Sequence, residues 1–294
     1  MNIDFSELSA VPTAPDIVMP EGLAADVDYV FSVTYTDPDA MEVASFSKAA
    51  AAAIEKEGLT LGTYPQPHGH EGLRQFISRE LKLNRGLDVS SENIFLSSGA
   101  GGACQTIVDA FIDPGDVVMM DEFCYHGSLN MFLRKGAVPV HVKMDHDGMD
   151  PDVLELEIKK KISEGIKPKL IYTISVYHNP TGATLSLDRR KRIVEISGRY
   201  GIPIVENESY ADFRIDGPDL PPAIMSLDSA EGVMYISAFT KLLGCGLRLG
   251  FGVFPESARA PMQKIAFGAS PVSYTHLRAH ETRHDLVCRL LLEK

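Results

Sequence analysis

Short runs of aliphatic and β-branched residues alternate along the middle of the chain with stretches whose apolar residues recur every three or four positions. The runs are "NIFLSS" (93–98), "DVVMMD" (116–121), "AVPVHV" (137–142), "KLIYTI" (169–174), "IPIVEN" (202–207), "VMYISA" (233–238) and "LGFGVF" (249–254). Each has the length of a buried strand and is bounded by turn residues. The intervening "SLDRRKRIVEISGRY" (186–200) carries the helical period instead. This alternation predicts an α/β fold with about seven strands in a mainly parallel sheet covered by helices. Residues 1–45 are richer in proline and acid and read as an arm or part of a second domain, and "FPESARAPMQKIAFGAS" (254–270) begins a further helix.

Composition narrows the classes. A chain of 294 residues with 45% apolar content buries a large core in one or two globular domains. The net charge of -12 argues against nucleic acid or an anionic membrane as the main partner, since both repel an acidic surface. No run approaches the roughly eighteen apolar residues that a membrane span needs. The opening "MNIDFSELSA" lacks a basic segment followed by an apolar one, so a cytoplasmic protein is expected. Cys104, Cys124, Cys245 and Cys288 are too few and too scattered for a disulfide framework or a thiolate metal site.

The stretch 272–294 changes character abruptly and holds three of the nine histidines. "VSYTHLRAHET" resembles one reading frame of a transposase-type sequencing adaptor, and "LVCRLLLEK" resembles the primer that follows it in the same frame. The expectation is that 255–271 starts a helix and that 272–294 is adaptor-derived, outside fold reasoning.

Candidate chemistry lies on the connections. Lys241 sits in the apolar, glycine-rich "SAFTKLLGCGLRLGF" (237–251), between two core strands, with Arg248 seven positions on. Most lysines are solvated surface charges. Strand-end connections of α/β sheets are where chemistry collects, however, and an amine withdrawn from water there favours its nucleophilic neutral form. "SSGAGGACQTIVDAFIDPGD" (97–116) follows a strand and opens a helix, so the amides of Ala100, Gly101 and Gly102 can converge on an anion. Gly99 and Gly101 also supply two glycines of a dinucleotide fingerprint, but Cys104 occupies its third place. Asn179 in "VYHNPTG" and the group Glu206, Asn207, Glu208 and Tyr210 in "IVENESY" end two further strands; taken singly each reads equally as a turn or a solvated tip. His68, His70, His126 and His178 fall in neighbouring loops at spacings that fit no common metal signature, so no metal is expected.

Taken together, Tyr64 with Gly69, "SGAGG", "YHG", "NPTG", "ENESY" and "TKLLGCGLRLG" resemble, in this order, the class I/II aminotransferases, fold type I enzymes dependent on pyridoxal phosphate. The likeness is closest to the MocR-like and aminoadipate-type subgroup and runs from about Tyr35 to Phe254. It implies a pyridoxal-phosphate-binding large domain over 46–254, with a C-terminal small domain lying beyond this chain. It also implies roles. Lys241 would form the Schiff base with the cofactor and shuttle the substrate proton. Arg248, Ala100 and Gly101 would hold the phosphate, Tyr125 would stack on the ring, and Asn179 and Tyr210 would donate to the 3'-oxygen. Tyr64 would reach the phosphate of a neighbouring subunit, which implies a homodimer. The substrates would be an amino acid and a 2-oxo acid.

The chain departs from the family's pattern in three ways. Ala238 replaces a serine three positions before the lysine, and Thr240 can supply a hydroxyl instead. Asn207 stands where the family carries an aspartate against the pyridine nitrogen. Either Glu208 or Glu206 takes that role through a shifted strand end, or Asn207 makes the contact and the ring is a weaker electron sink; strand alternation turns Glu208 to the other face and favours Asn207. The arginine that grips the substrate carboxylate belongs to the family's C-terminal domain, so these 294 residues are expected to bind the cofactor weakly and to transaminate poorly. A lyase or decarboxylase on the same fold, or a MocR-type effector domain, remains the alternative, although the acidic, proline-broken start does not read as a DNA-binding segment. A NAD-dependent dehydrogenase ranks below both.

Overall fold

In the computed structural model, which describes residues 34, 36–63, 66–228 and 231–269, the elements follow in chain order. Helices α1 (Val43–Glu57) and α2 (Glu71–Arg85) precede β1 (Ile94–Ser98), α3 (Gly99–Phe111), β2 (Val117–Asp121), α4 (His126–Arg134) and β3 (Val138–Val142). A two-residue-per-strand hairpin, β4 (Met144–Asp145) and β5 (Gly148–Met149), leads to α5 (Pro151–Ser163), β6 (Leu170–Ile174), α6 (Leu187–Tyr200) and β7 (Ile204–Asn207). The rest comprises α7 (Ile224–Leu227), β8 (Val233–Ala238), α8 (Thr240–Leu243), β9 (Leu249–Val253) and α9 (Glu256–Ala269).

All seven expected strands form, in the order β1-β9-β8-β7-β6-β2-β3. Strands β3, β2, β6, β7 and β8 pair in parallel, while β9 runs antiparallel to β8 on one side and to β1 on the other. The sheet is therefore mainly parallel with one reversed strand, and β1 points the same way as β8. Strands β2, β6, β8 and β9 are buried along their whole length, as a helix-covered sheet requires.

Strand alternation splits the core. Val118, Met120 and Val205 face Ile107 and Val108 of α3, Phe132 of α4 and Met262 of α9. Val117, Met119 and Ile204 face Leu154 and Ile158 of α5 and Ile193 and Ile196 of α6. A further cluster seats Leu73, Ile77 and Leu81 of α2 against Ile94, Phe251 and Val253. Helix ends follow local rules. Asp150 caps α5 by accepting from the amides of Asp152 (2.9 Å) and Val153 (3.3 Å), and Gly86 and Gly201 close α2 and α6 in the left-handed region.

Two details differ from the sequence reading. The run from 202 yields a strand only from Ile204, because Pro203 has no amide proton to give a ladder. The β4–β5 hairpin was not expected; it is too short to show a period, and Arg189 fastens it through Asp145 (2.7 Å) and the Gly148 carbonyl (2.6 Å). Among the described residues no helix is long and apolar enough to cross a membrane.

Candidate active site

Because β9 alone is reversed, the carboxyl ends of β1, β2, β6, β7 and β8 share one rim with the beginning of β9. Ligands of α/β sheets sit at such rims. Here a cavity of about 570 Å³ opens there, with Ala100 and Gly101 of α3, Ile174 at the end of β6, Asn207 at the end of β7 and Ala238 at the end of β8 among its walls. Tyr125, Asn179, Tyr210, Thr240, Lys241 and Arg248 line it too. Of the eleven candidates that the resemblance implies, ten lie among the described residues and nine of these share the cavity, while Tyr64 lies outside the described residues.

One end of the cavity is an anion cradle. Helix α3 starts directly after β1, and the first amides of a helix have no partner within it. Gly99 adopts φ +69, and a Cβ there would come within 2.8 Å of Arg248 Nη2 and 3.4 Å of Thr240 Oγ1. Arg248 is itself left-handed (φ 51), and its Nη2 donates to the Ser98 carbonyl at 3.1 Å. A guanidinium, a hydroxyl and a helix start thus converge where only a glycine backbone leaves room.

Lys241 lies on α8, whose four residues connect β8 towards β9. Its Nζ donates to the Thr34 carbonyl at 2.5 Å, stands 3.9 Å from Cys245 Sγ and lies 5.9 Å from the Tyr210 ring centroid. Tyr210 Oη accepts from Asn179 Nδ2 at 3.3 Å, so the two expected donors to a phenolic oxygen do meet. Tyr125 precedes α4 and packs its ring so closely over Gly127 that a Cβ there would meet Tyr125 Cε1 at 2.5 Å.

Strand alternation separates Asn207 of "ENESY" from the two glutamates that flank it. Asn207 faces the cavity. Glu208, offered as a cofactor contact, does not line it; Glu206 and Glu208 turn to the opposite face, where both are fully buried. Arg85 grips Glu208 through Nε (2.8 Å) and Nη2 (2.7 Å), and Arg190 Nη1 reaches Glu208 (3.0 Å) and Glu206 (3.2 Å). Glu206 also accepts from the amides of Ile224 (2.8 Å) and Met225 (3.0 Å). Burial pushes the Glu208 carboxyl up, but Arg85 and Arg190 outweigh this and hold it below its ordinary range. This knot anchors the end of β7 from below.

Among the described histidines, His126 alone lines the cavity. His178 is buried beside the buried Asp121 (Nε2 to Oδ2 3.4 Å), and Thr181 Oγ1 lies 3.0 Å from its Nδ1. His68 packs on Phe95, and His70 caps α2 by accepting from the Leu73 amide at 3.3 Å. No group of three or more potential metal ligands occurs among the described residues. Sequence reasoning missed Ser128, Met131 and Ser209 in the cavity wall, and Tyr172 behind it. Tyr172 lies within the apolar run 169–174, where nothing distinguishes a polar tip aimed at a site from a core tyrosine.

The model of the family described as "Aminotransferase class I and II" matches residues 34–277. The chain is 29% identical to the Aromatic-amino-acid aminotransferase 1 of Thermococcus litoralis, over 73% of this chain and 51% of that protein. It is 34% identical to the uncharacterized HTH-type transcriptional regulator YdfD of Bacillus subtilis, over 71% of this chain and 43% of that protein. Its fold is similar to the crystal structure of the Pyrococcus horikoshii kynurenine aminotransferase in complex with PMP, with TM-score 0.82 and 25% identity, covering 88% of this chain and 64% of that one. The chain spans about half the length of the curated relatives it matches.

Proposed function

The chain belongs to the class I and II aminotransferase family, and from that premise we propose that it serves a pyridoxal-phosphate-dependent transfer of an amino group between an amino acid and a 2-oxo acid. One observation carries the reading: the amine of Lys241, the Asn179–Tyr210 pair and the cradle of Arg248, Thr240 and α3 all open into a single cavity. The residues fit the group. Its phosphate matches a cradle that a single Cβ at Gly99 would obstruct, its phenolic oxygen matches two adjoining donors, and its aldehyde matches a primary amine.

When bound, pyridoxal phosphate supplies an aldehyde that captures amines and a ring that draws charge from the substrate α-carbon. Arg248 offers the phosphate a planar fork of donors, and the α3 amides add the partial positive charge of a helix start. Asn179 Nδ2 and Tyr210 Oη would donate to the phenolic oxygen. Tyr125, in the cavity wall, would pack against the ring. Lys241 Nζ moves the proton between the substrate α-carbon and its destination as a general base and then a general acid. To do so it must leave the Thr34 carbonyl, which holds it at 2.5 Å.

The working unit is a homodimer in which Tyr64 reaches the partner's phosphate site, and it acts in the cytoplasm. Among the described residues Arg248 is the one arginine in the cavity wall, and the phosphate occupies it, so these 294 residues should bind the cofactor weakly and turn over slowly. Borohydride reduction of the chain saturated with pyridoxal phosphate, followed by peptide mass spectrometry, should place a covalent adduct on residue 241. An unlabelled Lys241, or equal labelling after Lys241→Ala, would sink the proposal.

A second reading rests on the likeness to a protein named as an HTH-type regulator. In it the same cavity senses the cofactor for a DNA-binding domain, and loading would change DNA affinity of the complete polypeptide rather than yield a 2-oxo acid product.

A further inference from the structure

The walls of the cavity contain no carboxylate among the described residues. Glu206 and Glu208 are spent on Arg85 and Arg190 beneath the sheet. Asp121, at the end of β2, accepts from Thr173 Oγ1 (3.1 Å) and the Ile174 amide (3.0 Å) and lies 3.4 Å from His178. The polar group that β7 presents instead is the amide of Asn207, and its hydrogen-bonding capacity can be counted.

An Asn side chain has two acceptor lone pairs on oxygen and two N–H donors. The backbone amide of Ser209 can only donate, and it donates at 3.1 Å to the end of the group that must therefore be Oδ1. Ser209 Oγ donates to the same oxygen at 2.6 Å, so both lone pairs are taken. Nδ2 donates one proton to Tyr172 Oη at 2.8 Å, and that phenol is in turn 2.7 Å from Ser128 Oγ. Tyr172 is fully buried, which pushes its phenol well above the ordinary value, so it keeps its proton and accepts as a neutral group. What remains on Asn207 is one N–H. The residue offers the cavity a donor and no acceptor.

The ring nitrogen of pyridoxal phosphate lies across the ring from the carbon that bears the aldehyde. With the aldehyde at Lys241, the phenolic oxygen at Asn179 and Tyr210 and the phosphate at Arg248, the nitrogen is the polar atom left for Asn207. A protonated nitrogen would set two donors against each other; an unprotonated one accepts. We propose that Asn207 donates to the ring nitrogen and keeps the bound ring unprotonated, making it a weaker electron sink than a carboxylate partner would allow. This rests on the cofactor reading above and specifies the form in which that site holds its ligand. The remaining titratable groups at the cavity are Tyr125, His126, Tyr210, Lys241 and Arg248, with Cys104 and Asp121 behind the wall, and none is hydrogen-bonded to the Asn207 amide.

The test is the nitrogen resonance of ring-¹⁵N-labelled pyridoxal phosphate bound to the chain at fixed neutral pH, with borohydride adduct formation read on the same sample. The expected resonance is that of an unprotonated pyridine, displaced upfield to the pyridinium position in Asn207→Asp. Should Asn207→Asp not fold, Asn207→Leu removes the donor and should move the resonance further downfield. A pyridinium resonance in the unsubstituted chain, or one unmoved by either substitution, overturns the inference while the adduct upholds the cofactor reading. Failure to form an adduct at residue 241 overturns both.

Discussion

Gly250 of β9 stands against Gly99 at the start of α3 so closely that a Cβ on Gly250 would lie 2.3 Å from the Gly99 carbonyl carbon and 2.7 Å from the Ala100 amide nitrogen. Both obstructing atoms are backbone, so no rotamer relieves the clash. Gly250→Ala should displace the first turn of α3, costing about 1–3 kcal/mol of stability in denaturant unfolding, as overpacking does. Cofactor affinity should fall with it, by tenfold or more in an absorbance titration. Unchanged affinity would mean that the helix start does not hold the phosphate.

The buried knot beneath β7 should be brittle. Arg190 donates to the carbonyls of Leu185 (2.8 Å) and Ser175 (2.8 Å) as well as to both glutamates. Arg190→Met strands buried carboxylates and should destabilise by about 3–5 kcal/mol, measured by urea unfolding. A loss below about 1 kcal/mol, the range of exposed ion pairs, would contradict the burial described here.

Glu206 should impose a pH dependence. Burial, reinforced by the Glu208 carboxylate, raises its carboxyl from an ordinary 4.5 to about 7, against the pull of Arg190 and two backbone amides. Between those values the folded chain binds a proton that the unfolded chain has released. This contribution to stability is therefore complete below about pH 4.5 and disappears as pH rises through about 7. Unfolding free energies compared at about pH 5 and about pH 8 should fall with rising pH, and the Glu206→Gln protein should lose that part of the slope.

The cysteines should differ sharply in reactivity. Burial pushes Cys104 and Cys124 up to about 12. Burial also raises Cys245, but Thr36, Lys241 and Arg248 outweigh it and leave the thiol below its ordinary value. Limiting iodoacetamide at neutral pH should label Cys245 ahead of Cys104 and Cys124, and Lys241→Met should slow that labelling severalfold. Equal labelling of Cys104 and Cys245 would contradict this.

The fold was largely legible because most of the buried strands, β6, β8 and β9 among them, are predominantly apolar runs bounded by turn residues, as a sheet covered by helices on both faces requires. The reversal of β9 was not, since "LGFGVF" reads the same in either direction. At the site, strand spacing alone puts Asn207 and Glu208 on opposite faces, and the structure places them so. What spacing could not provide was the use made of each side chain. Arg85 and Arg190 look like ordinary helix-surface cations in "KLNRG" and "LDRRKR", yet both are buried against Glu208, a partner 123 and 18 residues away that local spacing does not reveal. Tyr172 and Ser209 were hidden for the same reason: their task is to orient another side chain, and that leaves no periodic trace.

Thr34 touches Lys241 across 207 positions of sequence, and Ser98 touches Arg248 across 150. A molecule that engages the amine and the cradle at once therefore staples together segments made at widely separated moments of synthesis. Ligand occupancy becomes a latch on the entire sheet, and its grip is recorded in the melting temperature as faithfully as in any spectrum.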